Sequence, residues 1–229
     1  MNAPRSEPTL EGSTPPPFDS VAAVCAHPDD ESFGLGAVIT AFVEAGARVD
    51  LVCLTCGENS SLSAGADLAA RRTEELTCAA NILGIHDVSL HQHPDGALTS
   101  VPLERLCDDI IAAVHDPQAL LTYDRGGITG HPDHQRATDA AIAVGERMGI
   151  PVLGWALPEH VAATLRQEFS APFVGRDDTE LDLALDVDRS RQRAAIACHG
   201  SQLAGNPVPE RRIELHGDQE HLRELYRPR

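Results

Sequence analysis

Short, continuously apolar runs alternate along this chain with longer segments whose apolar residues recur at helical spacing. Val21–Ala26 (VAAVCA) has no polar position, the pattern of a strand buried on both faces. Gly34–Ala45 reads as a helix closed by Gly46, and Val49–Thr55 as a second strand. Leu68–Leu83 is a long helical stretch ended by Gly84, and Val88–Leu90 a short third strand. Pro102–Val114 is a helix with proline in its first turn, where the missing N–H costs nothing. Ala119–Tyr123 is a fourth strand. Pro132–Met148 follows as a helix with Ala137, Ala141, Val144 and Met148 at helical spacing. Pro151–Ala156 is a fifth strand. Leu181, Leu183, Leu185 and Val187 alternate with polar or small residues, as in a half-buried strand near an edge. Ser190–His199 and Gln219–Tyr226 read as helices.

Strand–helix alternation of this kind builds βαβ units with right-handed crossovers. The expected fold is a Rossmann-like three-layer α/β domain with a mostly parallel sheet, a single domain over residues 21–229. Residues 1–20 hold five prolines, three of them at Pro15–Pro17, and read as an extended, poorly ordered extension. In open α/β sheets ligands bind beyond the carboxyl ends of the strands. Chemistry is therefore expected just after residues 26, 55, 90, 123 and 156.

Composition narrows the partners. The chain has 229 residues, 42% of them hydrophobic, and a formal net charge of −17. Such a surface repels nucleic-acid phosphates and anionic lipid, and no run of Lys or Arg offsets it. No apolar stretch is long enough to span a bilayer. The first twenty residues carry no apolar export core, so a cytoplasmic location is expected. The six cysteines, most of them inside apolar runs, are then expected to be reduced thiols. The oligomeric state is not legible in the sequence, which leaves a homo-oligomer open.

After the first strand comes Ala26-His27-Pro28-Asp29-Asp30-Glu31. One acid would serve to cap the next helix; three beside a histidine repel one another unless a cation neutralises them. After the fourth strand, a glycine-rich loop leads into Gly130-His131-Pro132-Asp133-His134. His131 and His134 are three apart across a helix start, where a neutral imidazole is favoured over a protonated one. Neutral imidazoles plus a carboxylate suit zinc or another borderline divalent metal. His27, Asp30 and one histidine of the second pair would supply three ligands and leave a position for water. Asp29 would be a spare acid placed to take a proton. The other histidine could stabilise an oxyanion.

These motifs resemble the LmbE-like, or PIG-L, family of metal-dependent N-deacetylases, which remove acyl groups from amino sugars. The resemblance extends to Thr55-Cys56-Gly57-Glu58, to Arg72 and Glu75 on the helix before Leu83-Gly84, to Asp95-Gly96, and to His199-Gly200-Ser201-Gln202. It implies a zinc-dependent hydrolase whose metal ligands are His27, Asp30 and His134. It further implies Asp29 as general base, His131 as the oxyanion or leaving-amine partner, and Arg72 and Asp95 as substrate contacts. The substrate implied is a small N-acylated, in particular N-acetylated, amino-sugar conjugate. The sequence departs from the family at one point. Some members place a tyrosine just before the Gly-His of the second motif, where this chain has Ile128-Thr129.

Other readings stay open beside this one: an amidase of a cysteinyl-sugar conjugate, a non-catalytic metal-dependent sugar-binding module, or a metal-dependent phosphoesterase. His91-Gln92-His93 puts two imidazoles on one face after the third strand, where with Asp95 they could bind metal or form a plain loop. His199 reads equally as a core-edge histidine or a pocket residue.

Overall fold

The fold comes from a computed structural model, which describes residues 14–62, 65 and 67–229. In chain order the elements are β1 (Ser20–Cys25), α1 (Asp30–Phe33), α2 (Gly36–Glu44), β2 (Arg48–Thr55), α3 (Leu68–Leu83), β3 (Asp87–His93) and α4 (Leu103–Ala113). There follow β4 (Ala119–Tyr123), an irregular single turn α5 (Gly127–Gly130), α6 (Pro132–Met148), β5 (Val152–Pro158), α7 (Glu159–Phe169), β6 (Gly175–Arg176) and β7 (Leu183–Asp186). The chain ends with α8 (Ser190–Cys198), α9 (Gly200–Leu203), α10 (Val208–His216) and β8 (Gln219–Tyr226).

The sheet runs β3-β2-β1-β4-β5-β8-β7, with β6 pairing to β5. Pairing is parallel from β3 through β5 and antiparallel on both sides of β8. The expected three layers are present. Alternate residues of β1 feed opposite cores. Val21, Ala23 and Cys25 pack with residues of α2, α3, α7 and α8, whereas Ala22, Val24 and Ala26 pack with α4 and α6. That is why the strand could be apolar throughout.

Of the Pro-rich extension, residues 1–13 lie outside the described residues. Thr14–Phe18 have no regular structure, but Phe18 stacks on Phe42 with ring centroids 6.4 Å apart. Among the described residues no helix is long and apolar enough to cross a membrane.

Two expectations fail. Gln219–Tyr226 is a strand, not a helix. Its Glu, Leu and Arg residues favour helix, but the slot between β5 and β7 accepts only an extended segment. Within it Leu222 enters one core, and Leu225 and Tyr226 pack against the other. The second correction concerns the cysteines. Cys78 and Cys198 form a disulfide, while Cys25, Cys53, Cys56 and Cys107 remain free. An inference from compartment alone could not see that α3 packs along α8, which sets the two Cα atoms 6.0 Å apart, within disulfide reach.

Candidate active site

The strand order reverses between β1 and β4, so the loops that follow these neighbouring strands open side by side. One loop carries His27–Glu31 and the other His131–His134. They converge: His27 Nδ1 lies 3.2 Å from His134 Nε2, which lies 3.1 Å from Asp30 Oδ1. One donor atom from each of the three residues falls within 4.8 Å of the others.

The remaining atoms of these residues are tied down in a way that points the donors inward. His27 Nε2 faces Asp95 Oδ1 at 3.1 Å and Asp133 Oδ2 at 3.3 Å. His134 Nδ1 faces the Gly127 carbonyl at 3.1 Å. Asp30 Oδ2 accepts the N–H groups of Ala26 and His27 at 3.0 and 2.9 Å, which leaves Oδ1 for the shared centre. An acceptor behind each imidazole is how proteins fix the tautomer of a metal-binding histidine. His27, His131 and Asp133 form a second grouping by distance. However, Asp133 is fully buried and its carboxylate accepts the Gly96 and Leu98 N–H groups at 2.7 and 3.0 Å. His131 Nδ1 accepts the Asp133 N–H at 3.2 Å, which caps α6 and leaves Nε2 as the protonated nitrogen. The set His27, Asp30 and His134 therefore fits a borderline divalent cation best.

The electrostatics agree. Burial disfavours a charged His27, yet hydrogen bonds to Asp133 and Asp95 overcome it and raise its pKa well above the ordinary value. Burial pushes the Asp30 carboxyl up, but His134 and His27 outweigh this and hold it well below the usual range. The surrounding carboxylates thus favour a positive charge here, which a divalent cation would supply in place of an imidazolium proton.

Asp29 stands beside this group in a strained backbone conformation, φ 136°. Such strain costs ~1–3 kcal/mol and persists only where neighbours impose it. Two neighbours do so. Glu31 Oε2 accepts the Asp29 N–H at 2.9 Å, and Arg72 Nη2 lies 3.0 Å from Asp29 Oδ2 while also donating to the Pro28 carbonyl. Burial pushes the Asp29 carboxyl up to about 6, with Arg72 pulling it down and Asp30 pushing it further up.

Several contributors carried no clear sequence signal. Glu31 is fully buried and faces His199 Nε2 at 2.7 Å, with Ser32 Oγ donating to it at 2.6 Å. His199 is thus a buried prop behind the loop rather than part of the cavity wall. Tyr123 donates from its hydroxyl to the Asp30 carbonyl at 3.1 Å and sets its ring edge-on to His134. Gly34 must be glycine, because a Cβ there would lie 2.4 Å from the Tyr123 ring. Asp124, at the end of β4, is clamped by Arg176 (2.9 and 2.5 Å) and by Arg223 (2.5 Å), which anchors the histidine loop to β6 and β8.

The site floors a cavity of about 730 Å³. His27, Asp29, Asp30, His131 and His134 all line it, as do Arg72 and Asp95. Arg72 is committed to Asp29, Pro28 and Gly57, and Asp95 to His27 and to the Asn59 N–H. Phe33, Ile128, Leu157 and Phe173 give the cavity an apolar wall, and Asn59, Ser60 and Asn206 a polar side.

Comparison with known proteins places these features. The chain matches the family model PIG-L, described as GlcNAc-PI de-N-acetylase, over residues 22–144, more than half its length. It is 30% identical over 203 residues to a 1D-myo-inositol 2-acetamido-2-deoxy-alpha-D-glucopyranoside deacetylase of Streptomyces avermitilis, a match spanning 76% of this chain and 69% of that one. Among solved structures, the N,N'-diacetylchitobiose deacetylase of Pyrococcus horikoshii superposes with a TM-score of 0.66 at 21% identity, covering 93% of this chain and 87% of that one. The zinc-inhibited form of teicoplanin deacetylase Orf2 gives 0.66 at 19% identity, covering 90% and 97%. At these identities the two structures speak for the fold alone.

Proposed function

The chain belongs to the PIG-L family, and from that premise we propose that it is a metal-dependent N-deacetylase acting on a small N-acetylated amino-sugar conjugate. The observation that carries this reading is the pairing of a two-imidazole, one-carboxylate donor set with a separate carboxylate, Asp29, that binding alone would not need. A divalent cation, zinc by this donor chemistry, would be held by His27, Asp30 and His134 and supply Lewis acidity and an acidified water when bound.

The residues of the chain do the rest. Asp29 accepts a proton from the attacking water, and a carboxyl pushed up to about 6 is able to hold that proton and return it to the leaving amine. Arg72 and Glu31 fix Asp29 in the one orientation that faces the cavity. His131, with Nδ1 accepting from the backbone, presents Nε2–H to the oxygen on which negative charge develops. The apolar wall excludes bulk water, and Asn59, Ser60 and Asn206 offer amide and hydroxyl groups to sugar hydroxyls.

The test is acetate release from N-acetylglucosamine conjugates, inositol-linked and free, measured alongside bound metal. Asp29→Asn should keep the ion and lose ~10²–10⁴-fold in kcat. A near-wild-type rate in Asp29→Asn removes Asp29 from the chemistry. Saturable sugar binding with no acetate released by the metal-loaded wild type would instead favour a binding module.

A further inference from the structure

A second constellation of metal-binding side chains lies outside the cavity. β3 is the outermost parallel strand, and His91 and His93 stand two residues apart on it, so both side chains leave by the same face. Their rings are nearly parallel, 12° apart with centroids at 5.9 Å. Asp109 of α4 reaches the same spot, with Oδ2 2.9 Å from His93 Nε2. One donor atom from each of the three residues falls within 4.8 Å of the others. None of them lines the cavity or takes part in the proposed deacetylation.

Asp95, the acid next to these histidines in sequence, is turned away to His27, and Asp109 takes its place. His91 supplies an independent sign that something is missing. Its Nε2 is shielded from solvent and has no hydrogen-bond partner among the described residues. A buried nitrogen left unpaired is a cost that a fold sheds by pairing it.

We propose that His91, His93 and Asp109 form a second cation site, which takes a borderline divalent ion such as zinc, nickel or copper. Two imidazole nitrogens and one carboxylate are the donors these ions prefer, whereas magnesium and calcium select oxygen. The three donors already lie within 4.8 Å of one another, and His91 Nε2 is tied to nothing that an ion would have to displace. Arg105 is the internal competitor. Its Nε donates to the same Asp109 oxygen at 2.9 Å, and its side chain is 66% exposed, free to swing away when an ion arrives.

Zinc titration of the metal-free protein by calorimetry reads the site directly. Wild type should bind two ions per chain. His91→Gln and His93→Gln should each lose one and keep acetate release, while His27→Ala should lose the other. Arg105→Ala should bind the second ion ~3–10-fold more tightly, since a rival cation for Asp109 is gone. A measurement independent of the stoichiometry is the copper(II) electron paramagnetic resonance spectrum of His27→Ala. It should show two nitrogen ligands, falling to one in His27→Ala/His91→Gln. One zinc per chain in wild type overturns the proposal, as does a second ion indifferent to His91 and His93, or a nitrogen pattern unmoved by His91→Gln. Loss of acetate release in His27→Ala bears on the proposed function and leaves this site untouched.

Discussion

Each imidazole of the proposed metal centre is held from behind, and Asp133 shares this work for His27 with Asp95. The Asp133 carboxylate ties Gly96 and Leu98 of the loop after β3 to the start of α6, and it faces His27 Nε2. Asp133→Asn keeps the shape and removes the charge that polarises the ring. Metal affinity should fall ~10–100-fold, read by competition with a chelator, while the ligands stay in place. An unchanged affinity would show that Asp133 serves only as a helix cap. In the sequence, Asp133 is indistinguishable from the acids that favour any helix N-terminus. The types of His27, Asp29, Asp30, His131 and His134 and their places after β1 and β4 marked these two loops in the sequence, while the role proposed for each came from the family resemblance. Glu31 and His199 each stood in a motif, but their pairing was not legible, since a buried contact 168 residues apart leaves no local pattern.

At the scale of elements, β8 is the strand that periodicity misread. Glu220 enters the interior from it, fully buried, and accepts from Arg189, from Arg212 at 2.6 Å and from Trp155 Nε1 at 2.6 Å, with His216 Nδ1 at 2.8 Å. Such a charge in mid-strand defeats a reading based on apolar alternation, whereas β1, β4 and β5 announced themselves as short, almost wholly apolar runs. The cluster also sets a pH dependence. Burial pushes the Glu220 carboxyl up, but Arg212, His216 and Arg189 hold it well below its usual value. Its contribution is therefore present above the unfolded carboxylate range and lost as pH falls through the folded value. Burial depresses the neighbouring His221 to about 4. Unfolded histidine titrates near ~6.5, so between there and pH 4 the unfolded chain binds a proton that the folded chain refuses. Both groups act in one direction. Asp29, raised to about 6, acts the other way over the lower part of this window, so the difference isolates His221: urea midpoints should fall more between pH 6.5 and pH 4 in wild type than in His221→Gln, and equal falls would contradict this assignment.

For the molecule as a whole, topology makes the site. β1 and β4 are adjacent in space but separated in sequence by β2, β3 and four α-helices, so two loops a hundred residues apart share one opening. Strand–helix alternation put the chemistry beyond the carboxyl ends of the strands, and the strand order then set which two of those ends stand side by side. The disulfide was not legible in the sequence, because it depends on which helices pack together. Cys78 and Cys198 close a sequence separation of 120 residues and bind α3, which carries Arg72, to α8, whose last residue precedes His199. Reduction should lower unfolding free energy by about 2–4 kcal/mol, and Cys78→Ser/Cys198→Ser should match the reduced wild type. Equal denaturation midpoints with and without reductant would show that the bond bears no part of the stability.

In the proposed site two distant loops hold one cation between three side chains. Anomalous diffraction at the zinc edge, from crystals grown with zinc, tests this arrangement most directly. A peak in contact with His27 Nδ1, Asp30 Oδ1 and His134 Nε2 together is the expected result. Density that leaves any one of these three atoms out of coordination, or that settles instead between His27, His131 and Asp133, would contradict it.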